Sequence, residues 1–148
     1  MRRGSWAAYL WAAPTSCLGL AGVAVTAPSC RIVDGVLEAH GARVARLLDH
    51  VAPHMRVAAM ALGHVVLGRD AAALDVTRAH ERVHVRQAER WGPLFVPAYL
   101  GASVVAWARG CDPYADNAFE REASTAAPVS AARPRGLGPG TAGTRRSQ

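Results

Sequence analysis

The chain has 148 residues, 51% of them hydrophobic, and a formal net charge of +6 carried entirely by arginine. That length gives room for one domain of modest core rather than two. The excess charge sits at the ends: Arg2 and Arg3 before residue 31 and four arginines after residue 124 face no acid, while eleven arginines balance eleven acids between them. A nucleic-acid groove needs its basic stripe on the folded part of a protein, so this distribution argues against nucleic acid as a partner.

From Gly4 to Cys30 no residue is charged, and Trp6 to Ala27 form an apolar stretch of 22 residues, close to the roughly 20 that cross a bilayer as a helix. A cleavage site after Ala27 would place Pro28 next, so a membrane anchor is expected over residues 1–30 rather than a removable signal. Arg2 and Arg3 would stay on the cytoplasmic side, and Trp6, Tyr9 and Trp11 suit the interface. Pro14, Gly19 and Gly22 weaken the helix. Cys17, Cys30 and Cys111 lack close spacing, which argues against a disulfide framework and leaves small-residue packing as their expected role.

Arg31 to His40 reads as a strand ended by Gly41. Residues 42–52 fit a strand or a short helix, and Arg56 to Gly68 reads as a further strand. A long helix is expected over 74–90, stopped by Gly92-Pro93, then an apolar run from Leu94 to Ala108 broken by Pro97. Fifteen residues are short for a full span, so this run is expected to be a buried or re-entrant helix. A short helix follows from about Asn117 to Ser124, and residues 125–148, rich in Gly, Pro and Arg, are expected to be disordered.

The chemistry concentrates in His80-Glu81-Arg82-Val83-His84. On a helix, positions i and i+4 share a face, so both imidazoles can reach one cation. Glu81 lies beside the pair, where it can take a proton from a metal-bound water whose pKa zinc lowers to about 7. Catalytic zinc usually has three protein ligands and one open position. Glu120, in Glu120-Arg121-Glu122-Ala123, is the candidate third ligand, with Glu122 and His64 as competitors. Gln87 could bond the metal-bound water or cap the helix face. Tyr114 is a candidate transition-state donor, and Trp91 and Trp107 are membrane-interface or core anchors.

The order HExxH, apolar helix, E-x-x-A resembles the gluzincin metallopeptidases and is most similar to their membrane-embedded CAAX-processing and heat-shock type. The wider stretch TRAHERVHVRQAERWGPLFVPAYL with YADNAFEREA also looks like a family of small bacterial proteins built on the same skeleton, which brings no known substrate. The resemblance implies His80, His84 and Glu120 as zinc ligands, Glu81 as catalytic base, and a strand over Met60 to Leu67 bordering the substrate cleft. Two positions depart from the peptidase pattern. Arg82 is charged where the motif usually is not, and Ser124 replaces an aspartate that orients a ligand histidine, a task left to Asp116 or Asp75.

The expectation is therefore an α+β fold, mostly helical with a small antiparallel sheet: an N-terminal apolar helix, a zincin-like domain over residues 31–124, and a tail. Its expected function is that of a membrane-associated zinc metallopeptidase of the bacterial inner membrane, acting on a peptide or protein and touching lipid. The alternative is an inactive zinc-binding membrane protein with a structural or partner-binding role.

Overall fold

A computed structural model describes residues 6–26, 28–53 and 57–129. The chain folds as α+β, mostly helical with one small sheet. Helices α1 (Trp6–Trp11) and α2 (Ala13–Thr26) are followed by strands β1 (Ser29–Val33) and β2 (Val36–His40), then helix α3 (Ala42–Val51) and strands β3 (Ala59–Leu62) and β4 (Val65–Gly68). Helix α4 (Ala71–Trp91), a single 3-10 turn over Gly92–Leu94, α5 (Phe95–Ala108) and α6 (Ala118–Ala126) complete it. Most of the tail, residues 130–148, lies outside the described residues; Thr125 and Ala126, expected within it, close α6.

Both stretches expected as single strands are hairpins. Asp34 and Gly35 have φ of 48° and 78°, the left-handed pair that closes a two-residue turn between right-twisted strands, and Asp-Gly is its favoured sequence. Gly63, with φ of 60°, opens the equivalent turn between β3 and β4. The sheet order is β1-β2-β4-β3. Each hairpin is antiparallel, but β2 and β4 pair in parallel, so the sheet is mixed rather than wholly antiparallel. Helix α3 and strand β3 together carry the chain from β2 to its parallel partner β4; parallel partners require such a long connection.

Alternation along the strands builds two apolar layers. Val65 and Leu67 join Ala39, Val44 and Leu48 beneath α2 and α3, while Val66, Ala59 and Ala61 meet Val36, Leu74 and Val85 beneath α4. Every residue of β4 is buried, as expected for a strand covered on both faces.

The apolar N-terminal stretch is divided at Ala12 into helices of 6 and 14 residues. The glycines that weaken α2 bring it onto the sheet: a Cβ on Gly19 would lie 2.5 Å from Cβ of Val65, and one on Gly22 would lie 3.0 Å from Leu67. Pro14 falls in the first turn of α2, where its missing N–H costs nothing. Among the described residues, the helical run long and apolar enough to cross a membrane is 71–108, not the N-terminal one. That run is α4 and α5 joined at the 3-10 turn. The cysteines do not pack inside; all three are exposed and unpaired.

On the α4 face, Glu38 is 2% exposed and accepts from Arg31 (2.9 Å) and from Arg78 (2.9 and 3.1 Å). Arg82 reaches the same carboxylate at 3.6 Å and donates to the carbonyl of Val33. Arg82 thus points at the sheet, where its charge fixes the rotation of α4. Burial pushes the Glu38 carboxyl up, but the Arg78 and Arg31 hydrogen bonds outweigh it and hold the group below its ordinary range. Its contribution is therefore complete above that ordinary range and is lost as pH falls through the depressed native value. Glu38→Ala strands the guanidinium groups of α4, and a loss of about 3 kcal/mol, the low end for a broken buried pair, is expected. Thermal melts of variant and wild type, compared from pH 7 downward, check it; the two should converge in acid.

Candidate metal centre

Helix α4 begins at Asp70, whose Oδ1 accepts from the backbone N–H of Ala73, and stops at Gly92, whose φ of 56° breaks the helical path. Between these ends His80 and His84 stand one turn apart on the face turned from Glu38, both buried. The third group arrives from α6. Asn117 caps that helix through Oδ1, which accepts from Phe119 N–H, and its amide donates to the Tyr99 carbonyl and to Ser103 Oγ of α5. One fully buried side chain thereby fixes both the start of α6 and its distance from α5. The chain leaves on α5, turns through residues 112–116, and returns with Glu120 facing the histidines.

Nε2 of His80 lies 3.2 Å from Oε2 of Glu120, Nε2 of His84 lies 3.3 Å from Oε1, and the two Nε2 atoms are 3.2 Å apart. A tetrahedral ion with bonds of roughly 2.0–2.1 Å has donor–donor edges of about 3.3 Å, so each of these spacings matches such an edge, with the carboxylate facing one imidazole through each of its oxygens. The buried group His80, His84 and Glu120 can hold a metal ion.

Hydrogen bonds also define which atom His84 offers. The Gln87 amide nitrogen is committed to two acceptors, the Phe119 carbonyl at 3.1 Å and Glu122 Oε2 at 3.0 Å. Its oxygen therefore faces Nδ1 of His84, 2.8 Å away. Nδ1 must carry a proton, so Nε2 is the nitrogen whose lone pair could turn to an ion in the centre. Both polar atoms of the Gln87 side chain are thus engaged by protein groups, and one of them fixes the orientation of the His84 ring. Nδ1 of His80 has no such partner among the described residues.

The charges follow from the same geometry. Burial pushes the Glu120 carboxyl up, but hydrogen bonds from His80 and His84, with the Tyr99 hydroxyl, hold it far below the usual carboxylate range. Burial lowers the affinity of His84 for a proton, and Glu120 more than restores it. Glu81 is raised, chiefly by burial, with the His84 and His80 charges opposing and that of Glu120 adding. Oε2 of Glu81 lacks a hydrogen-bond partner among the described residues. It lines two cavities that meet at the centre. One, of about 370 Å³, is walled by apolar side chains including Ala61, Leu62, Phe95, Val96 and Leu100; the other, of about 590 Å³, includes Thr77, Asp112 and Ser124. Tyr114 borders both.

Several residues weighed from the sequence lie elsewhere. His64 stacks on Tyr9 at 4.0 Å and pairs with Glu89 at 3.0 Å, so it is no third ligand. Glu122 is held by Gln87. Asp75 is bound to Arg31 and Arg78, and Asp116 to the backbone of Asp112, so neither is the expected partner of a histidine in the group. Trp107 is exposed, while Trp91 meets Phe119 edge-on at 5.6 Å. Sequence reasoning missed Tyr99, which donates to Oε1 of Glu120 at 2.7 Å; its only signal was a polar tip within an apolar helix.

No family model, curated protein or solved structure matches the chain.

Gln87→Ala removes the group that sets the His84 tautomer. Losing such a partner typically weakens metal binding by 10–100-fold, and about that loss of affinity is expected. Competition against a chromophoric chelator measures it.

Proposed function

We propose that the protein is a membrane-associated zinc metallopeptidase of the gluzincin kind, hydrolysing peptide bonds with Glu81 as general base. The observation that carries this reading is the convergence of His80, His84 and Glu120 beside the buried carboxylate of Glu81, which lines both cavities and has one oxygen without a hydrogen-bond partner among the described residues. Two imidazoles and a carboxylate suit zinc among the common divalent ions. Three protein donors are the catalytic number, whereas structural zinc is normally closed by four.

When bound, zinc lowers the pKa of a water and polarises a carbonyl oxygen. Glu81 receives the proton that the attacking water gives up and delivers it to the leaving amine, a role favoured by its raised proton affinity. His84, held by Gln87, keeps its lone pair on the centre through the cycle. Strand β3 is a sheet edge and lines the apolar cavity, so an extended peptide can pair with it and run past Glu81.

Membrane association is supported by apolar surface with no charge to interrupt it. Trp6, Leu10 and Trp11 of α1, Leu18 and Val25 of α2, and Leu100, Val104 and Trp107 of α5 are exposed. Gly92 lies against the indole of Trp11, and Thr15 donates to the Gly92 carbonyl, which brings the N-terminal helices beside the start of α5. In this reading these faces contact lipid, and the molecule is anchored at the bacterial inner membrane through the N-terminal segment. Flotation with anionic phospholipid vesicles checks it: the full chain should rise with the vesicles, and a chain left at the bottom overturns the membrane reading.

The reading with a structural ion predicts the same metal content but no turnover. Glu81→Gln separates them. The variant should retain one zinc per chain while cleavage of a quenched fluorescent peptide library falls by about 10²–10⁴-fold, the usual contribution of a general base. Wild type without stoichiometric zinc, or turnover equal in the two proteins, overturns the peptidase.

A further inference from the structure

We propose that Tyr99 is a positioning residue of the metal centre, engaging Oε1 of Glu120 so that Oε2 alone binds the ion. The inference rests on the metal reading of His80, His84 and Glu120, and extends it to the coordination number.

An ionised carboxylate only accepts, and a tyrosine hydroxyl beside it can only donate. At 2.7 Å the Tyr99 proton is therefore on Oε1, which also stands 3.3 Å from Nε2 of His84, and the hydrogen bond weakens that oxygen as a ligand relative to Oε2, which faces Nε2 of His80 at 3.2 Å. A carboxylate that binds through both oxygens fills two positions on an ion; one that binds through a single oxygen leaves a four-coordinate ion room for a water. The donor that occupies Oε1 thus helps keep a position open.

Tyr99 is well fixed for this task. Its ring stacks on Phe119 (centroids 6.0 Å apart, planes at 30°) and meets Phe95 at 6.2 Å. Its own carbonyl accepts from Asn117, the cap of the helix that carries Glu120. Donor and acceptor are thereby tied together at the backbone as well as at their tips. Only Ala118 and Phe119 separate Asn117 from Glu120, so little freedom remains in the angle between hydroxyl and carboxylate.

Tyr99→Phe removes the hydroxyl and keeps the ring. In the full chain this variant should still take up zinc, with a Kd weaker by about tenfold or more, as for other partners of ligand groups. With cobalt in place of zinc, the visible absorption should lose intensity as the freed Oε1 joins Oε2 and four-coordination gives way to five. Ser103→Ala is the control, because it loosens the same α5–α6 joint through Asn117 without touching the carboxylate. It should alter the melting temperature and leave the cobalt spectrum in place. An unchanged Kd and spectrum for Tyr99→Phe overturns the proposal, as does an equal spectral change in Ser103→Ala. Wild type that binds no divalent ion overturns the metal reading and this inference together. Wild type that binds the ion but hydrolyses nothing overturns only the peptidase, since both readouts are independent of turnover.

Discussion

Two imidazole nitrogens of α4 and the two carboxylate oxygens of Glu120 on α6, each within 3.3 Å of the next, are held in a buried space. Bringing a carboxylate there is costly unless something compensates its charge, and the two imidazoles do so through hydrogen bonds. The compensation binds α4 to α6, because neither helix carries the full set. A divalent ion would replace the shared protons with a stronger positive charge at the same point. The groups that hold the protein in this form are those that would hold the ion.

Such an arrangement needs rigid support on every side, and the chain supplies it from opposite faces of α4. Toward the sheet, Arg78 and Arg82 are held by Glu38, which sets the helix rotation. Toward α6, Gln87 reaches three partners and Asn117 spans the joint with α5. A helix free to roll by a few tens of degrees would carry His80 and His84 out of register with Glu120. The charged residue within the motif is thus compatible with the centre, since it lies on the far side of the helix and stabilises the alignment.

The apolar character of the chain is used in two ways. Gly19 and Gly22 let α2 approach β4 until backbone and side chains touch, so this helix is part of the packed body. Helix α5 differs: Phe95 and Ala106 are buried while Leu100, Val104 and Trp107 are exposed. Phe95, Val96 and Tyr99 of the same helix line the cavity beside Glu81, so the exposed apolar surface and the wall of the candidate site share one helix.

The sequence by itself determined the motif helix, its stop at Gly92-Pro93, the relation of His80 to His84, and the α+β class, because each follows from local periodicity or from residues with fixed backbone preferences. It also held the two hairpin turns, in Asp34-Gly35 and Gly63-His64, although continuous apolar runs concealed them. The tertiary structure alone decided the rest. The parallel pairing of β2 with β4 depends on where α3 delivers the second hairpin, and no pattern within a strand records that direction. The meeting of Glu120 with the histidines and the contacts of Gln87 and Tyr99 depend on how α5 and α6 fold back, a relation between residues 21 to 40 positions apart, and His64 is kept from the centre by Tyr9 and Glu89. Periodicity reports which face of an element is apolar; which side chains meet across two such faces is set by packing.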